Sequence, residues 1–472
     1  MLVENRSALT SAADQAPPSA SAPVRRDPGE TAATSRRGTP STLLRDRDFR
    51  RFWSGQTISV VGAQITAFTI PLFAVTQLGA DASDVALLRV LETIPFVVLA
   101  LPVGVWLDRH APRPAMMVAN LGRAGLVVVT AVAGLLGLLQ VGTLAVALLL
   151  VGAATVVFDI AYLSYLPRLV PPGQLVDGNS KLSLSDSAAQ VGGPGLSGLL
   201  VQTITAPAAL LVTGLTYAMS ALSLHRLRHR DVPSNTRLGG DSPTAEPIDA
   251  PGGRRGLAFA GRQIREGLRL VTTERYLRVI CLEAFTFNLF VQFGETLVVV
   301  YALNDLHLSA AALGLFISLG SVGAVLGAAL APHAVRAVGF GPAFTAGTAV
   351  GCAAPLLVPL AGTAPQFAGP LIAMSHFLAG AGVAISVIGS VTLRQSVTPP
   401  RLLARVNAVM RLASYSALPI GSAAAGVLSE ATTVRTGLFI GAAGLALPVL
   451  ILLLSPIPRL RDSFDAGSTP HT

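Results

Sequence analysis

Long apolar runs alternate with short polar connections along almost the whole chain, from residue 52 to residue 456. Twelve runs of about 20 or more residues are nearly free of charge, which is the length that a helix needs to cross a hydrocarbon core about 30 Å thick. They lie at 52–78, 84–107, 115–137, 141–165, 178–202, 206–225, 277–303, 309–331, 342–362, 367–392, 404–429 and 434–456. Glycine and proline are frequent inside them, as in membrane helices. The pattern predicts an all-α polytopic membrane protein with twelve transmembrane helices.

The second half of the chain repeats the first, and every matched pair is separated by the same shift in residue number. The matched pairs include Pro171 with Pro399, Pro172 with Pro400, Asn179 with Asn407, and Gly193 with Gly421. Parallel repeats of this kind are typical of transporters built from two bundles related by an axis along the membrane normal. We therefore expect two six-helix bundles with pseudo-two-fold symmetry, at 45–225 and 275–456, with a cavity between them.

The remaining segments are polar. Residues 1–44 are rich in Ala, Ser, Pro and Arg, which predicts a disordered tail, and 457–472 form a second, shorter tail. In the middle loop at 226–274, a run of apolar residues follows helical spacing beside several arginines, which predicts an interfacial amphipathic helix. These apolar residues are Ile264, Leu268 and Val271.

The basic residues are almost all arginine, and they are segregated along the chain. Of 34 basic residues only Lys181 is a lysine. Arginines are concentrated in the amino-terminal tail, in the connection between spans two and three and in the middle loop, whereas the alternate connections have none. By the positive-inside rule, both tails and the middle loop are cytoplasmic in a multi-pass protein of the cell membrane. The net charge of +9 then indicates contact with anionic lipid headgroups and not with nucleic acid.

A short motif follows the second span, in the segment GVWLDRHAPR. Its matching residues are Gly104, Asp108, Arg109 and Arg113. The segment resembles the loop 2–3 signature of the major facilitator superfamily, although Ala111 stands where the family usually has glycine. The resemblance implies the two-bundle fold and a conformational latch in which the aspartate caps the start of span eleven, here residues 403–407. Such a cap contributes about 0.3–1 kcal/mol when exposed. The alternative is that these arginines only set the topology.

Span five contains a second motif, made of small residues around a proline. Its residues are Ala189, Gly193, Pro194, Ser197 and Gly198. It resembles the Gly-x-x-x-Gly-Pro-x-x-Gly-Gly motif of the superfamily's exporters, which implies antiport. The alternative is close helix packing, because small residues let helices approach and proline bends a helix. The segments LLRDRDFRRFWSGQTIS, RVLETIPF and LPRLVPPGQLVDGNS are similar to the drug and enterobactin-type exporter branch, and the resemblance covers positions 43–456.

Ionisable side chains inside membrane spans are costly, so each one is a functional candidate. Asp159 in span four and Asp186 in span five are candidates for proton coupling. The alternative is that they support loop arginines such as Arg113 and Arg168. His376 in span ten is interpreted as a hydrogen-bonded core residue.

Span seven carries the strongest candidate for coupling. Asn288, Gln292 and Glu295 recur at i, i+4 and i+7, a polar stripe on a helix that also holds four phenylalanines. Burial favours the neutral form of a carboxylate, so Glu295 is predicted to carry a proton or to anchor a cation. Glu283 is a further coupling candidate. The other cavity candidates are Gln56 and Gln64 in span one, and Arg411 and Tyr415 in span eleven.

These features lead to two functional hypotheses from different classes. The first is a secondary active transporter, expected to act as a monomer and without a cofactor, that exports an amphipathic small molecule such as a drug, natural product or siderophore against a proton gradient. The second is a transport-inactive sensor or scaffold of the same fold, and uptake is the alternative direction of transport. No Walker A loop, nucleophile elbow or metal-binding cluster points to an enzyme. Cys281 and Cys352 lie inside spans and indicate neither a metal site nor a disulfide framework.

Overall fold

The computed structural model describes residues 42–107, 109–171, 174–227 and 254–461, and regular structure within these ranges is helical. The helices are α1 (Arg47–Leu78), α2 (Ala82–Leu107), α3 (Pro112–Leu135), α4 (Val141–Leu169), α5 (Leu175–Ile204), α6 (Ala206–His225), α7 (Arg254–Thr273), α8 (Arg275–Val300), α9 (Ala310–Val338), α10 (Phe340–Ala353), α11 (Leu357–Leu360), α12 (Ala368–Val397), α13 (Leu403–Ala431), α14 (Val434–Gly444) and α15 (Ala446–Leu453). A π-helical turn at Tyr301–Asp305 extends α8, and short 3-10 turns join α10, α11 and α12. The predicted all-α class is confirmed.

Eleven helical segments among the described residues are long and apolar enough to cross a membrane. The exception among the twelve predicted spans is α5, whose small and polar residues make it less apolar than the others. Its 30 residues nevertheless give it a length of about 45 Å, enough to cross a bilayer. Because α4 ends and α6 begins at opposite ends of the bundle, α5 has to make that crossing.

The repeat seen in the sequence recurs in the positions where the helices begin. The shift that relates Pro171 to Pro399 also relates the starts of α1 and α8, α2 and α9, α3 and α10, α5 and α13, and α6 and α14. The starts of α4 and α12 depart from it by a single position. The two halves, α1–α6 and α8–α15, therefore contain the same succession of spans, although two spans of the second half are each divided into two helices, α10 with α11 and α14 with α15.

Successive spans run in opposite directions, so the connections between them lie at two ends of the bundle. We call one of them the arginine-rich end, where Arg47, Arg109, Arg226, Arg336 and Arg401 lie. The arginine-poor end holds the connections at 79–81, 136–140, 306–309 and 432–433, which contain no Lys or Arg. The helix α7 belongs to the arginine-rich end, because it leads directly into the start of α8.

The two halves meet through two equivalent helix pairs, α5 with α9 and α13 with α2. Glycines bring the backbones together in both pairs. A Cβ atom on Gly198 would lie 2.5 Å from the carbonyl oxygen of Ala310, and one on Gly426 would lie 2.7 Å from the Cβ of Ala86. These contacts lie toward the arginine-poor end.

An apolar cluster fills the space between these helix pairs at the same end. It joins α1 and α2 of the first half to α8, α9 and α13 of the second. Its members include Phe68, Leu72, Val85, Phe293, Leu297, Leu313 and Ala425, all buried. The cluster closes the arginine-poor end of the interface between the halves.

The predicted amphipathic helix is α7, and it packs on the first turns of α13. A Cβ atom on Gly267 would lie 2.8 Å from the carbonyl oxygen of Arg405, and the Arg405 guanidinium forms an ion pair with Glu266. Val271 is buried, whereas Leu268 is 48% exposed. The side chain of Ile264 lies outside the described residues.

Gly198→Ala is expected to weaken the contact between α5 and α9, because the added Cβ would meet the Ala310 carbonyl, and overpacking of this kind costs about 1–3 kcal/mol. We predict faster thiol labelling of a cysteine introduced at Ser318, which lies on the α9 side of this contact. Gly192→Ala on the same helix is the matched control, since no atom lies within 4 Å of its added Cβ. Equal labelling rates in the two variants would contradict the role of this contact.

Candidate transport site

The small residues of span five form two contact faces of α5. On one face, a Cβ atom on Gly193 would lie 2.5 Å from the Cβ of Gln64, and Ser197 is hydrogen-bonded to Thr69 at 2.8 Å; both partners are on α1. On the other face, the backbone N–H of Gly195 donates to the Oγ of Ser318 on α9 at 2.9 Å. Ala189 and Ser197 are buried, and Pro194 lies inside the helix. The motif therefore supports close helix packing, both on α1 within the first half and on α9 of the second half.

A buried arginine lies in the centre of the first half. Arg123 of α3 is 3% exposed, and its Cζ lies 4.3 Å from the ring centroid of Phe158 and 4.5 Å from that of Tyr217. The guanidinium donates to Asn120, whose amide donates to Ser220 at 2.9 Å. The aromatic faces and the amide together stabilise a positive charge away from water.

Two carboxylates lie near this arginine, on neighbouring helices. Asp159 of α4 interacts electrostatically with Arg123, with Asp186 of α5 and with Arg411 of α13. Tyr162, one turn beyond Asp159, interacts with both carboxylates and stacks on the ring of Phe158. The structure thus brings two predicted candidates, Asp159 and Asp186, into one cluster. The arginines around Asp159 are Arg123 and Arg411, not the loop arginines.

The predicted pair Arg411 and Tyr415 lies at the boundary between the halves. The Tyr415 ring stacks on Phe96 of α2, with 3.9 Å between centroids and 22° between the ring planes. The Arg411 Cζ lies 5.1 Å from the Phe96 centroid and 5.4 Å from that of Tyr415. The Arg411 side chain is exposed. This cation therefore sits on an aromatic pair to which each half contributes one ring.

Glu295 opens onto a cavity of about 310 Å³ inside the second half, bounded by α8, α9, α10, α12 and α14. The walls are mainly apolar and include Phe287, Phe290 and Ile317, and His376 lies on the opposite wall on α12. The Glu295 side chain is exposed, and among the described residues it makes no ion pair or hydrogen bond. The His376 Nδ1 lies 2.9 Å from the carbonyl oxygen of Ile372, as expected for a helix-bound histidine.

The other residues of the predicted stripe do not line this cavity. The Asn288 amide donates to the carbonyl of Ala284 in its own helix at 2.7 Å, and Gln292 donates to Ser422 of α13 at 3.2 Å. Both residues are half-buried and their amides stabilise packing. Of the three stripe residues, Glu295 has the side chain that is free to bind a ligand or a proton.

Three further candidates lie inside the halves, two of them buried and one half-buried. Glu283 is 4% exposed on α8 and lies near Cys352 of α10. Gln56 is 8% exposed, and its Oε1 has no hydrogen-bond partner among the described residues. Gln64 is half-buried against Gly193 of α5. None of the three lines the cavity onto which Glu295 opens.

With this geometry established, comparisons with known proteins identify the family. The family model of the Major Facilitator Superfamily matches residues 52–422. The chain belongs to the Major Facilitator Superfamily. Membership confirms the resemblance seen in the sequence and makes the chain a relative of membrane transporters.

Among the proteins that are similar to this chain are two curated transporters and one solved structure. The multidrug efflux pump Tap of Mycolicibacterium fortuitum is 26% identical over 420 residues, which covers 87% of this chain and 95% of the pump. The uncharacterized transporter y4rN of Sinorhizobium fredii is 24% identical over 377 residues, covering 79% of this chain and 86% of its own length. A bacterial homologue of the iron transporter ferroportin, 18% identical, superposes in its inward-facing state with a TM-score of 0.68 over 91% of this chain and 100% of its own.

The superfamily's loop 2–3 motif is described in part. Asp108, the predicted latch residue, lies outside the described residues. Arg113 donates to the carbonyls of Leu224 and His225 at 2.9 Å each, where it caps the C-terminus of α6 in its own half. Gly104 has no atom within 4 Å of an added Cβ, and Arg109 is exposed. The latch therefore stays a prediction, whereas Arg113 has a structural contact of its own.

Arg123 and Phe96 are the site residues that the sequence reasoning missed. Arg123 stands alone in an apolar span, and an ionisable residue in a span is by itself a signal. Phe96 gives no such signal, because an aromatic residue in an apolar helix is ordinary. Its role follows only from the packing of α2 on α13.

Arg123→Gln is expected to lower the thermal unfolding midpoint of the purified protein by several degrees, because it leaves Asp159 without the positive charge of α3. A carboxylate in the protein interior is less well stabilised when a nearby opposite charge is removed. Asp159→Asn in the same background should recover part of the loss, since it removes the uncompensated charge. Arg401→Gln, at an exposed arginine, is the control. If the double variant were less stable than Arg123→Gln, the two charges would not stabilise one another.

Proposed function

We propose that this protein is a secondary active transporter that exports an amphipathic small molecule by alternating access in exchange for protons. The unpaired carboxylate of Glu295 carries this proposal, since it opens onto an apolar cavity within a membrane span. A carboxylate in such a place is stabilised when it binds a proton or a cation. The proton and the cation cannot occupy the carboxylate at the same time, and antiport requires that exclusion.

The walls of the cavity suit an amphipathic ligand. Phe287, Phe290 and Ile317 offer apolar and aromatic surface, and Glu295 offers one fixed polar group. Small-molecule sites are typically of this kind, mainly apolar with few polar anchors. The volume of about 310 Å³ lies at the lower end of the range for drug-sized ligands.

Export is supported by two observations. The Tap pump that resembles this chain over 420 residues is named as a multidrug efflux pump. Of the exporter-type residues of α5, Pro194 and Gly198 lie in the contact with α9 of the other half, and this packing is part of what would change between the two ends in alternating access. Uptake remains the alternative direction, and a transport-inactive sensor the alternative class.

Orientation belongs to the same proposal. The arginine-rich end is assigned to the cytoplasm by the positive-inside rule, so both termini are cytoplasmic. The halves are in contact at the arginine-poor end, which makes this conformation closed to the outside. In support, the ferroportin homologue superposes with a TM-score of 0.68 in its inward-facing state but 0.51 in its outward-facing state. Asp108 would act as the latch when the arginine-rich end closes.

Glu295→Gln is expected to abolish transport driven by a proton gradient, because glutamine keeps the size of glutamate but can neither exchange a proton nor attract a cation by its charge. The measurement is uptake of tetraphenylphosphonium, a lipophilic cation, by proteoliposomes after a pH jump. Asp186→Asn is the comparison, since Asp186 is the half-buried carboxylate candidate on α5. Wild-type transport by Glu295→Gln together with loss in Asp186→Asn would move the proton carrier to α5.

A further inference from the structure

The boundary between the halves contains the groups that recognise an organic cation. The stacked rings of Phe96 and Tyr415 present aromatic surface, and a carboxylate of the opposite half, Asp159, interacts electrostatically with Arg411, the residue whose guanidinium lies over these rings. Aromatic faces bind cations through the ring quadrupole, with about 0.5–2 kcal/mol per contact. A neighbouring carboxylate adds long-range attraction.

The cation that these groups hold in this structure is a residue of the protein itself. Arg411 lies 5.1 Å from the Phe96 ring and 5.4 Å from the Tyr415 ring, and it interacts with Asp159 in the opposite half. No ion pair of 4.0 Å or less fixes Arg411 within the described residues, and its side chain is exposed. An exposed arginine on a flexible stem can leave such a site at low cost.

Asp159 and Arg411 lie at similar depths in the membrane, measured from the arginine-rich end. Asp159 lies ten residues before the end of α4 at Leu169, and Arg411 lies eight residues after the start of α13 at Leu403. At 1.5 Å per residue, both lie about 12–15 Å from the helix ends at the arginine-rich end. The two charged residues therefore lie at one level of the membrane, on helices of opposite halves.

From this geometry we infer that Arg411 is a tethered competitor at a binding site for organic cations formed by Asp159, Phe96 and Tyr415. The inference rests on the proposed function, because it assigns a substrate class to the transporter. A cationic substrate entering from the arginine-rich side displaces the guanidinium from the rings. Asp159 then attracts the substrate in place of Arg411. In the empty protein Arg411 covers the two rings and adds to the positive charge that Arg123 already places near Asp159.

A tethered competitor lowers the apparent affinity for a ligand by the fraction of time that the site is free. If Arg411 leaves the site free about a tenth of the time, its removal tightens cation binding about ten-fold. Removal of the Arg411 guanidinium does not strengthen the binding of an anion, because it takes a positive charge away from the site. The sign of the ligand charge therefore separates this role of Arg411 from a direct role in binding substrate.

The test compares tetraphenylphosphonium with tetraphenylborate, two ions of the same shape and opposite charge, by equilibrium binding to the purified full-length protein. Arg411→Gln is expected to bind tetraphenylphosphonium about ten-fold more tightly than wild type and tetraphenylborate no more tightly. Arg401→Gln, at an exposed arginine near the start of the same helix, should bind both ions as wild type does. Arg411→Met replaces the glutamine variant if that one does not remain monodisperse.

Asp159→Asn combined with Arg411→Gln should lose the gain for the cation. Unchanged or weaker binding of tetraphenylphosphonium by Arg411→Gln would overturn the inference, as would a gain that persists in the double variant. Weaker binding of tetraphenylborate without a gain for the cation would make Arg411 an anion-binding residue instead. Proton-driven transport by wild type is measured in parallel. Its persistence when the binding prediction fails would leave the proposed export intact and remove only the role of Arg411.

Discussion

Close backbone contact between the halves at the arginine-poor end is the constraint on which the other features depend. Gly198 against Ala310 and Gly426 against Ala86 allow α5 to reach α9 and α13 to reach α2, and the apolar cluster around Leu297 fills the space between these pairs. Packed interfaces of this kind hold discrete arrangements, which is what the proposed alternating access requires of the contact between the halves. The location of this contact decides which charged groups are left accessible from the arginine-rich side.

Those charged groups are distributed unequally between the halves. The first half holds its arginine, Arg123, in a buried aromatic enclosure and places Asp159 beside it. The second half leaves Glu295 unpaired at a cavity and presents Arg411 at the boundary. In the proposed function, a fixed charge in one half and exchangeable charges in the other would let ligand and proton binding bias the packing between the halves, which is what coupling requires.

The sequence predicted the architecture because membrane helices are specified by length, apolar composition and repeat. The constant shift between matched residues of the two halves reappears in the helix starts, with α4 and α12 as the single departure, and the amphipathic spacing around Val271 predicted α7. The site was predicted only in part. Intramembrane polarity pointed to Glu295, Asp159 and Arg411, but it could not show that Gln292 bonds to α13, or that Phe96 stacks on Tyr415, because those facts depend on which helices are neighbours. Depth in the membrane can be read from a sequence, whereas the identity of a neighbour requires the packed structure.

The central claim is that the two ends of the bundle open and close in alternation. Distances between pairs of spin labels, measured by electron paramagnetic resonance, test it most directly. Spin labels at Leu138 and Phe367 report on the arginine-poor end, and labels at Arg109 and Arg336 report on the arginine-rich end; all four side chains are exposed, and each pair joins the two halves. On acidification in lipid nanodiscs, the account predicts that the Leu138–Phe367 distance increases while the Arg109–Arg336 distance decreases. Distances that stay constant, or that change in the same direction at both ends, would contradict it.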